Sequence, residues 1–168
     1  TIKYDKYNPE INNSQHLIDC SFVFIAVPTP FDCKNNISDD SAVRESLDLL
    51  KKIHYQNIVI IKSTISPGQC DKYLEEYKLN IVFNPEFLRE STTPNEDFEN
   101  QNTIVIGCSN DEIYQQTESM FKSFVRDDAI YYNVTPREAE MIKCCQNTML
   151  ASRVAISNMI FDICQNMN

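Results

Sequence analysis

The sequence predicts an α/β fold built on a mostly parallel sheet with flanking helices. Three observations carry that expectation. Short apolar runs, SFVFIAV, NIVIIKST, NIVFNPEF and NTIVIGCS, alternate with segments of helical period. Within each run the apolar residues are continuous rather than alternate, as in strands covered on both faces. With 42% hydrophobic residues over 168 positions, the chain can bury one core, enough for one domain or one and a part.

The elements follow in order. TIKYD reads as a short strand ending at Asp5, and KYNPEINN as a polar turn. SQHLIDC reads as one short helix. SFVFIAVPTP reads as a fully buried parallel strand closed by Pro28 and Pro30. SDDSAVRESLDLLKKIH places Val43, Leu47, Leu50 and Ile53 on one helical face, with Ser and Asp available as caps. NIVIIKST is a second buried strand, and the helix of SPGQCDKYLEEYKL follows it. NIVFNPEF and NTIVIGCS are the third and fourth strands of this kind, DEIYQQTESMFKSFV is an amphipathic helix and AIYYNV a short strand. From Thr135 a long helix begins with Thr135 as N-cap, Pro136 at its first position and Glu138 completing a capping box, and it runs to about Asn166. The expected division is therefore residues 1–134 for the sheet unit and 135–168 for the helix.

Composition excludes several classes. The net charge is −9, and no stripe of bases offers itself to a nucleic-acid backbone. No apolar run reaches the ~18–20 residues of a membrane span, and no signal peptide opens these residues. Seven cysteines, an odd number with two adjacent and no C-x-x-C, fit neither a disulfide framework nor a zinc site, and only two histidines are present. The expectation is no metal, reduced thiols and a cytoplasmic protein. The chain has two glycines, Gly68 and Gly107, so neither a G-x-G-x-x-G turn nor a Walker loop stands in these residues.

In parallel sheets ligands bind beyond the carboxyl ends of the strands. Three unusual stretches occupy those ends: VPTP at 27–30, KSTISPG at 62–68 and NPEFLRE at 84–90. In the last, Glu86 and Glu90 bracket an aromatic, a leucine and Arg89 directly after a proline. Two solvated acids paired with Arg89 would contribute only ~0–1 kcal/mol. A carboxylate in a closed apolar cleft instead has its pKa raised towards neutrality, as acid–base work requires. On the long helix, Lys143 and Asn147 lie four apart on one face, so an ammonium and an amide converge as they would on an oxyanion.

These stretches, with TIVIG and the helix EAEMIKCCQNTMLASRVAISNMI, resemble the UDP-glucose/GDP-mannose dehydrogenase family in order and spacing across nearly the whole chain. NPEFLRE is closer to the UDP-glucose and GDP-mannose branches than to the N-acetylmannosamine branch, and the helix pattern is most similar to the UDP-glucose branch. The resemblance implies a Rossmann-type NAD domain followed by the start of a central helical dimerisation region. It implies oxidation of a sugar's C6 alcohol to a carboxylate in two NAD-dependent hydride transfers, by way of a cysteine-bound intermediate. By the same resemblance Asp5 binds the adenosine ribose, and Pro28, Thr29 and Ser63 line the dinucleotide. Thr64 stands near the nicotinamide and helps hold a catalytic water; Glu86 is the catalytic carboxylate. Glu90 contacts the cofactor, the backbone of Phe87, Leu88 and Arg89 cradles the sugar, and Lys143 with Asn147 holds the oxyanion. Lys62 is read only as a lysine at a strand's end. UDP-glucose is the implied substrate and a homodimer through the long helix the implied assembly. A dehydrogenase of another nucleotide sugar such as GDP-mannose, and a non-catalytic relic that binds nucleotide or dimerises through the long helix, are the rival readings.

The sequence also departs from the family pattern. The glycine-rich strand–turn–helix expected before TIKYD is missing, and only about fifteen residues separate Asp5 from SFVFIAV, so one αβ unit is absent. The GGSCFPKD-like segment that carries the nucleophile is missing too, and neither Cys144 nor Cys145 replaces it. These departures lead to the expectation of a partial enzyme, inactive as the isolated 168 residues.

Overall fold

A computed structural model describes residues 1–88 and 92–167. Arg89 and Glu90 therefore lie outside the described residues, as do Ser91 and Asn168. The main sheet has five strands: β1 (Phe22–Ile25), β4 (Ile58–Ile61), β5 (Asn80–Phe83), β6 (Thr103–Gly107) and β7 (Ile130–Val134), in the order β1-β4-β5-β6-β7. β1, β4 and β5 run parallel with full registers such as Ile25–Ile61 and Ile61–Phe83. The direction reverses between β5 and β6, which meet antiparallel at Phe83–Gly107, and β7 is parallel to β6. A two-stranded ribbon, β2 (Phe31–Asp32) and β3 (Ile37–Ser38), leaves the loop after β1.

The continuous apolar runs have the predicted meaning at the sheet's centre. All four residues of β4 are buried, with Val59 and Ile61 packed on one face and Ile58 and Ile60 on the other. One face is covered by α1 (Ser41–Lys52) through Val43, Leu47 and Leu50 and by α2 (Gln69–Tyr77) through Cys70, Tyr73 and Tyr77. The other receives Phe121 and Val125, from α4 (Asp111–Lys122) and the turn after it. Each such fully buried side chain contributes about 1.5–3 kcal/mol. A short helix, α3 (Pro94–Glu99), sits between β5 and β6.

Three expectations fail at the amino-terminal side. TIKYD forms no strand; Asp5 instead opens a turn, accepting a hydrogen bond from Tyr7 N at 2.9 Å. A strand needs a neighbour to take its backbone groups, and none of the described strands lies beside it. For the same reason SFVFIAV is not fully buried: β1 is an edge strand, and Phe24 remains 45% exposed. SQHLIDC contributes only a single 3-10 turn, Ser14–Leu17.

The long helix α5 (Pro136–Asn166) starts as predicted. Thr135 Oγ1 accepts from Glu138 N, and the Glu138 carboxylate accepts from Thr135 N at 2.8 Å, closing the capping box. Its first turns cross β6 at Gly107, where an added Cβ would lie 2.6 Å from Ala139 Cβ. Only glycine permits that approach. Glu140, fully buried, reaches from α5 to the start of α2, accepting from Cys70 N at 2.7 Å and from Gly68 N. Beyond Gln146 the helix is exposed all round, including Met149, Leu150, Val154, Met159 and Phe161. Among the described residues no helix is long and apolar enough to cross a membrane, no group of side chains could hold a metal ion, and the seven cysteines are free thiols.

Candidate active site

The loops after β1, β4 and β5 converge as parallel-sheet topology requires. Lys62 N donates to Ile25 O at 2.8 Å, and Asn84 N to Ile61 O at 3.0 Å, so each loop is tied to the preceding strand's end. Ser63 Oγ accepts from Val27 N and donates to Val27 O, both at 2.8 Å, and is buried. Its hydroxyl is thus committed to holding the VPTP loop. Thr29 Oγ1 donates to Thr64 O at 2.7 Å, which leaves Thr29 able to accept. Thr64 is half-buried and Pro28 exposed at the same strand ends.

Glu86 sits one turn beyond β5. One carboxylate oxygen accepts from both Phe87 N and Leu88 N at 2.9 Å; the other meets Lys62 Nζ at 3.0 Å. Lys62 also donates to Asn84 Oδ1 at 2.7 Å, and its ammonium stands 5.6 Å from the Phe98 ring. Lys143 reaches across from α5 to donate to the backbone carbonyl of Glu86, with its ammonium 5.6 Å from the Phe87 ring. Two lysines therefore hold one residue, one on its side chain and one on its main chain. Asn147, one turn further along α5, is exposed.

The electrostatics correct two sequence expectations. Burial pushes the Glu86 carboxyl up, but the Lys62 charge and the Leu88 and Phe87 N–H groups outweigh it, and its pKa is lowered rather than raised. Lys62 is no bland strand-end lysine: its side chain is only 14% exposed, and burial pulls its pKa down against the attraction of Glu86. Burial likewise lowers Lys143. Cys144 has its thiol pushed up by burial, the wrong direction for a nucleophile. The signal for Lys62 lay in the sequence only as its nearness to the β4 end; its partners arrive from residues 84 and 86.

Beside this cluster opens a cleft of about 1030 Å³, bordered by Phe87, Leu88, Thr103, Val134, Ile142 and Gln146 among others. Gln146 has a buried side-chain oxygen without a hydrogen-bond partner among the described residues. Asp5 is exposed in its own turn, apart from this network, and Glu90 and Arg89 lie outside the described residues. For NAD, hydroxyls of Thr29 and Thr64 stand at the carboxyl ends of β1 and β4, where parallel sheets take dinucleotides. Gly68 caps α2 and Gly107 lies under α5, so neither supplies a pyrophosphate-binding turn. The residues present fit part of a dinucleotide site, without its phosphate loop.

Comparison with known proteins gives one answer. Residues 2–125 match the model of the UDP-glucose/GDP-mannose dehydrogenase family, NAD binding domain. A UDP-glucose 6-dehydrogenase of Rickettsia bellii is 32% identical over 165 residues, covering 95% of this chain and 36% of that protein. A UDP-glucose dehydrogenase structure from Pyrobaculum islandicum superposes with TM-score 0.76 at 26% identity, over 89% of this chain and 36% of that one. A GDP-mannose dehydrogenase structure from Pseudomonas aeruginosa does so with TM-score 0.73 at 25% identity, over 86% of this chain and 36% of that one. The chain thus spans little more than a third of these relatives. Sheet order, strand-end loops and family match agree: the chain belongs to the UDP-glucose/GDP-mannose dehydrogenase family, and residues 2–125 correspond to its NAD-binding domain.

Proposed function

We propose that the protein carrying this chain is an NAD-dependent dehydrogenase that oxidises UDP-glucose to UDP-glucuronate in two successive steps through a cysteine-bound intermediate. The observation that carries this reading is the meeting of Glu86, Lys62 and Lys143 beside the strand ends that hold Thr29 and Thr64. NAD, when bound, accepts the hydride at each oxidation. The residues of this chain bind, orient and move protons. Lys143 turns from the Glu86 carbonyl to the substrate oxygen, where with Asn147 it stabilises the developing negative charge. Glu86, kept as a carboxylate, accepts a proton from the attacking water, which Thr64 helps to place. The backbone of Phe87, Leu88 and Arg89 cradles the sugar. Asp5, Pro28, Thr29 and Glu90 belong to the cofactor side, and Ser63 acts there by fixing the loop that carries Thr29.

UDP-glucose is preferred because the relatives of 32% and similar identity are named UDP-glucose 6-dehydrogenases. Residues 1–134 serve as the NAD-binding domain, and the outer part of α5, whose apolar residues are exposed, serves as the contact of a homodimer in the cytoplasm. The test is NADH formation by the whole protein with UDP-glucose and, separately, GDP-mannose. Glu86→Gln should lower turnover by roughly 10²–10⁴-fold and leave NAD affinity unchanged. Equal loss of turnover and NAD binding would sink the assigned role, and faster turnover of GDP-mannose would reassign the substrate.

A further inference from the structure

We propose that Lys62 is the positioning residue of the Glu86 carboxylate, anchored in turn by Asn84. The inference rests on the catalytic reading of Glu86 given above. A lysine placed at a strand's end ordinarily extends into water; this one is largely buried, and a buried ammonium requires partners. It has two oxygens, Asn84 Oδ1 at 2.7 Å and Glu86 Oε2 at 3.0 Å.

Asn84 cannot exchange its two ends. Its amide nitrogen donates to Val105 O at 2.7 Å, and the residue is 2% exposed. Rotating the amide would set oxygen against the Val105 carbonyl and NH₂ against the Lys62 ammonium. β6 therefore fixes Asn84, Asn84 fixes Lys62, and Lys62 fixes one oxygen of Glu86. The other oxygen is held by Phe87 N and Leu88 N. With both oxygens occupied, the carboxylate has one orientation.

Among the described residues, the charged groups that meet Glu86 are Lys62 at the end of β4 and Lys143 on α5, whose ammonium lies on the Glu86 carbonyl. From α3, the Phe98 ring stands beside Lys62, and Asp97 borders the same cleft as Phe87 and Leu88. Among the described residues, Lys62 is the one whose charge touches the carboxylate itself. Its removal leaves burial opposed by two N–H groups and the more distant Lys143. Glu86 then protonates at higher pH.

The experiment follows the ¹³C signal of the Glu86 carboxyl through a pH titration of the whole protein without substrate. Wild type should titrate below the ~4.3 of an unperturbed glutamate. Lys62→Met should move that titration upward by roughly 1–3 pH units, and Lys62→Arg should restore most of the difference. A merely structural lysine would lower the melting temperature in Lys62→Met and leave the Glu86 titration where it was, which overturns the proposal. So does a wild-type titration at or above ~4.3, a measurement that needs no variant to fold. In an active protein, Lys62→Met should also carry the acidic limb of kcat upward. Expected titrations in a protein that oxidises no nucleotide sugar would leave the clamp standing and remove the catalytic reading. Turnover with an unmoved titration would do the reverse.

Discussion

Replacing Glu140 with alanine measures how the long helix is joined to the sheet layer. The carboxylate is fully buried, and among the described residues no ion pair reaches it. Its partners are the N–H groups of Gly68 and Cys70, at the start of α2, where the first turn has no intrahelical acceptor. The helix dipole favours a negative charge there. A buried donor left without an acceptor costs about 1–3 kcal/mol. Cys70 N is buried and should show the full penalty, while Gly68 is half-buried and gains partial relief from water. Glu140→Ala should therefore destabilise by about 2–4 kcal/mol, a large share of the roughly 5–15 kcal/mol that holds a domain. Urea unfolding monitored by circular dichroism reads this as a lower midpoint at unchanged slope. Glu140→Gln, which keeps the shape and one acceptor, should fall between. A loss for Glu140→Ala within about 0.5 kcal/mol, the range of ordinary surface substitutions, would refute the reasoning.

Gly107→Ala sets a methyl 2.6 Å from Ala139 Cβ, 3.0 Å from Pro136 Cα and 3.1 Å from Phe83 O. Thermal unfolding should report a loss of about 1–3 kcal/mol from overpacking; a neutral variant would mean that α5 moves off β6 freely. Thr135→Ala removes the capping box and should lower stability by about 0.5–2 kcal/mol in the same measurement, a result contradicted by an unchanged melting curve. Acid should weaken the fold in a predictable direction. Burial pushes Asp40 up, but hydrogen bonds from Tyr73 and Gln69 and the Arg44 charge hold it below its ordinary range, as Lys62 does for Glu86. The unfolded chain then binds more protons, so this stability is complete above about pH 4 and fades as pH falls further. Asp40→Asn should flatten the decline of unfolding free energy in that window, and an unaltered slope would contradict the assignment.

What was legible in the sequence was what local chemistry decides. The capping box at Thr135 and Glu138, the helical face of Val43, Leu47 and Leu50, and the two-faced burial of Ile58–Ile61 all follow from neighbours a few residues apart. The failures depended on distant neighbours. SFVFIAV has the composition of a central strand and lies at an edge, because burial belongs to the sheet order and not to the segment. The two-residue strands of the β2–β3 ribbon are too short to leave a period, and Pro94–Glu99 lacks an apolar stripe. At the site, the stretches around Thr64, Glu86 and Lys143 were visible as motifs. The lowered pKa of Glu86 was not, since a carboxylate beside apolar residues reads as raised until Lys62 is seen to point at it. Glu140 carries no local signal at all: the donors to its carboxylate are backbone N–H groups some seventy residues away.

The reach of α5 has a mechanical side. At 1.5 Å per residue its 31 residues extend about 46 Å. Docking through Glu140 and Gly107 falls within the first two turns. Lys143 stands just past that pivot, and about 35 Å of rod continues beyond it. The helix is thus a lever with a short inner arm and a long outer one. A displacement of about 0.6 Å at the outer tip tilts the rod by about one degree and leaves the ammonium nearly still. Force applied at the tip is multiplied at Lys143, close to the pivot, by the ratio of the two distances from it. Whatever grips the far end of α5 therefore acts on the Lys143–Glu86 contact with high leverage and little travel.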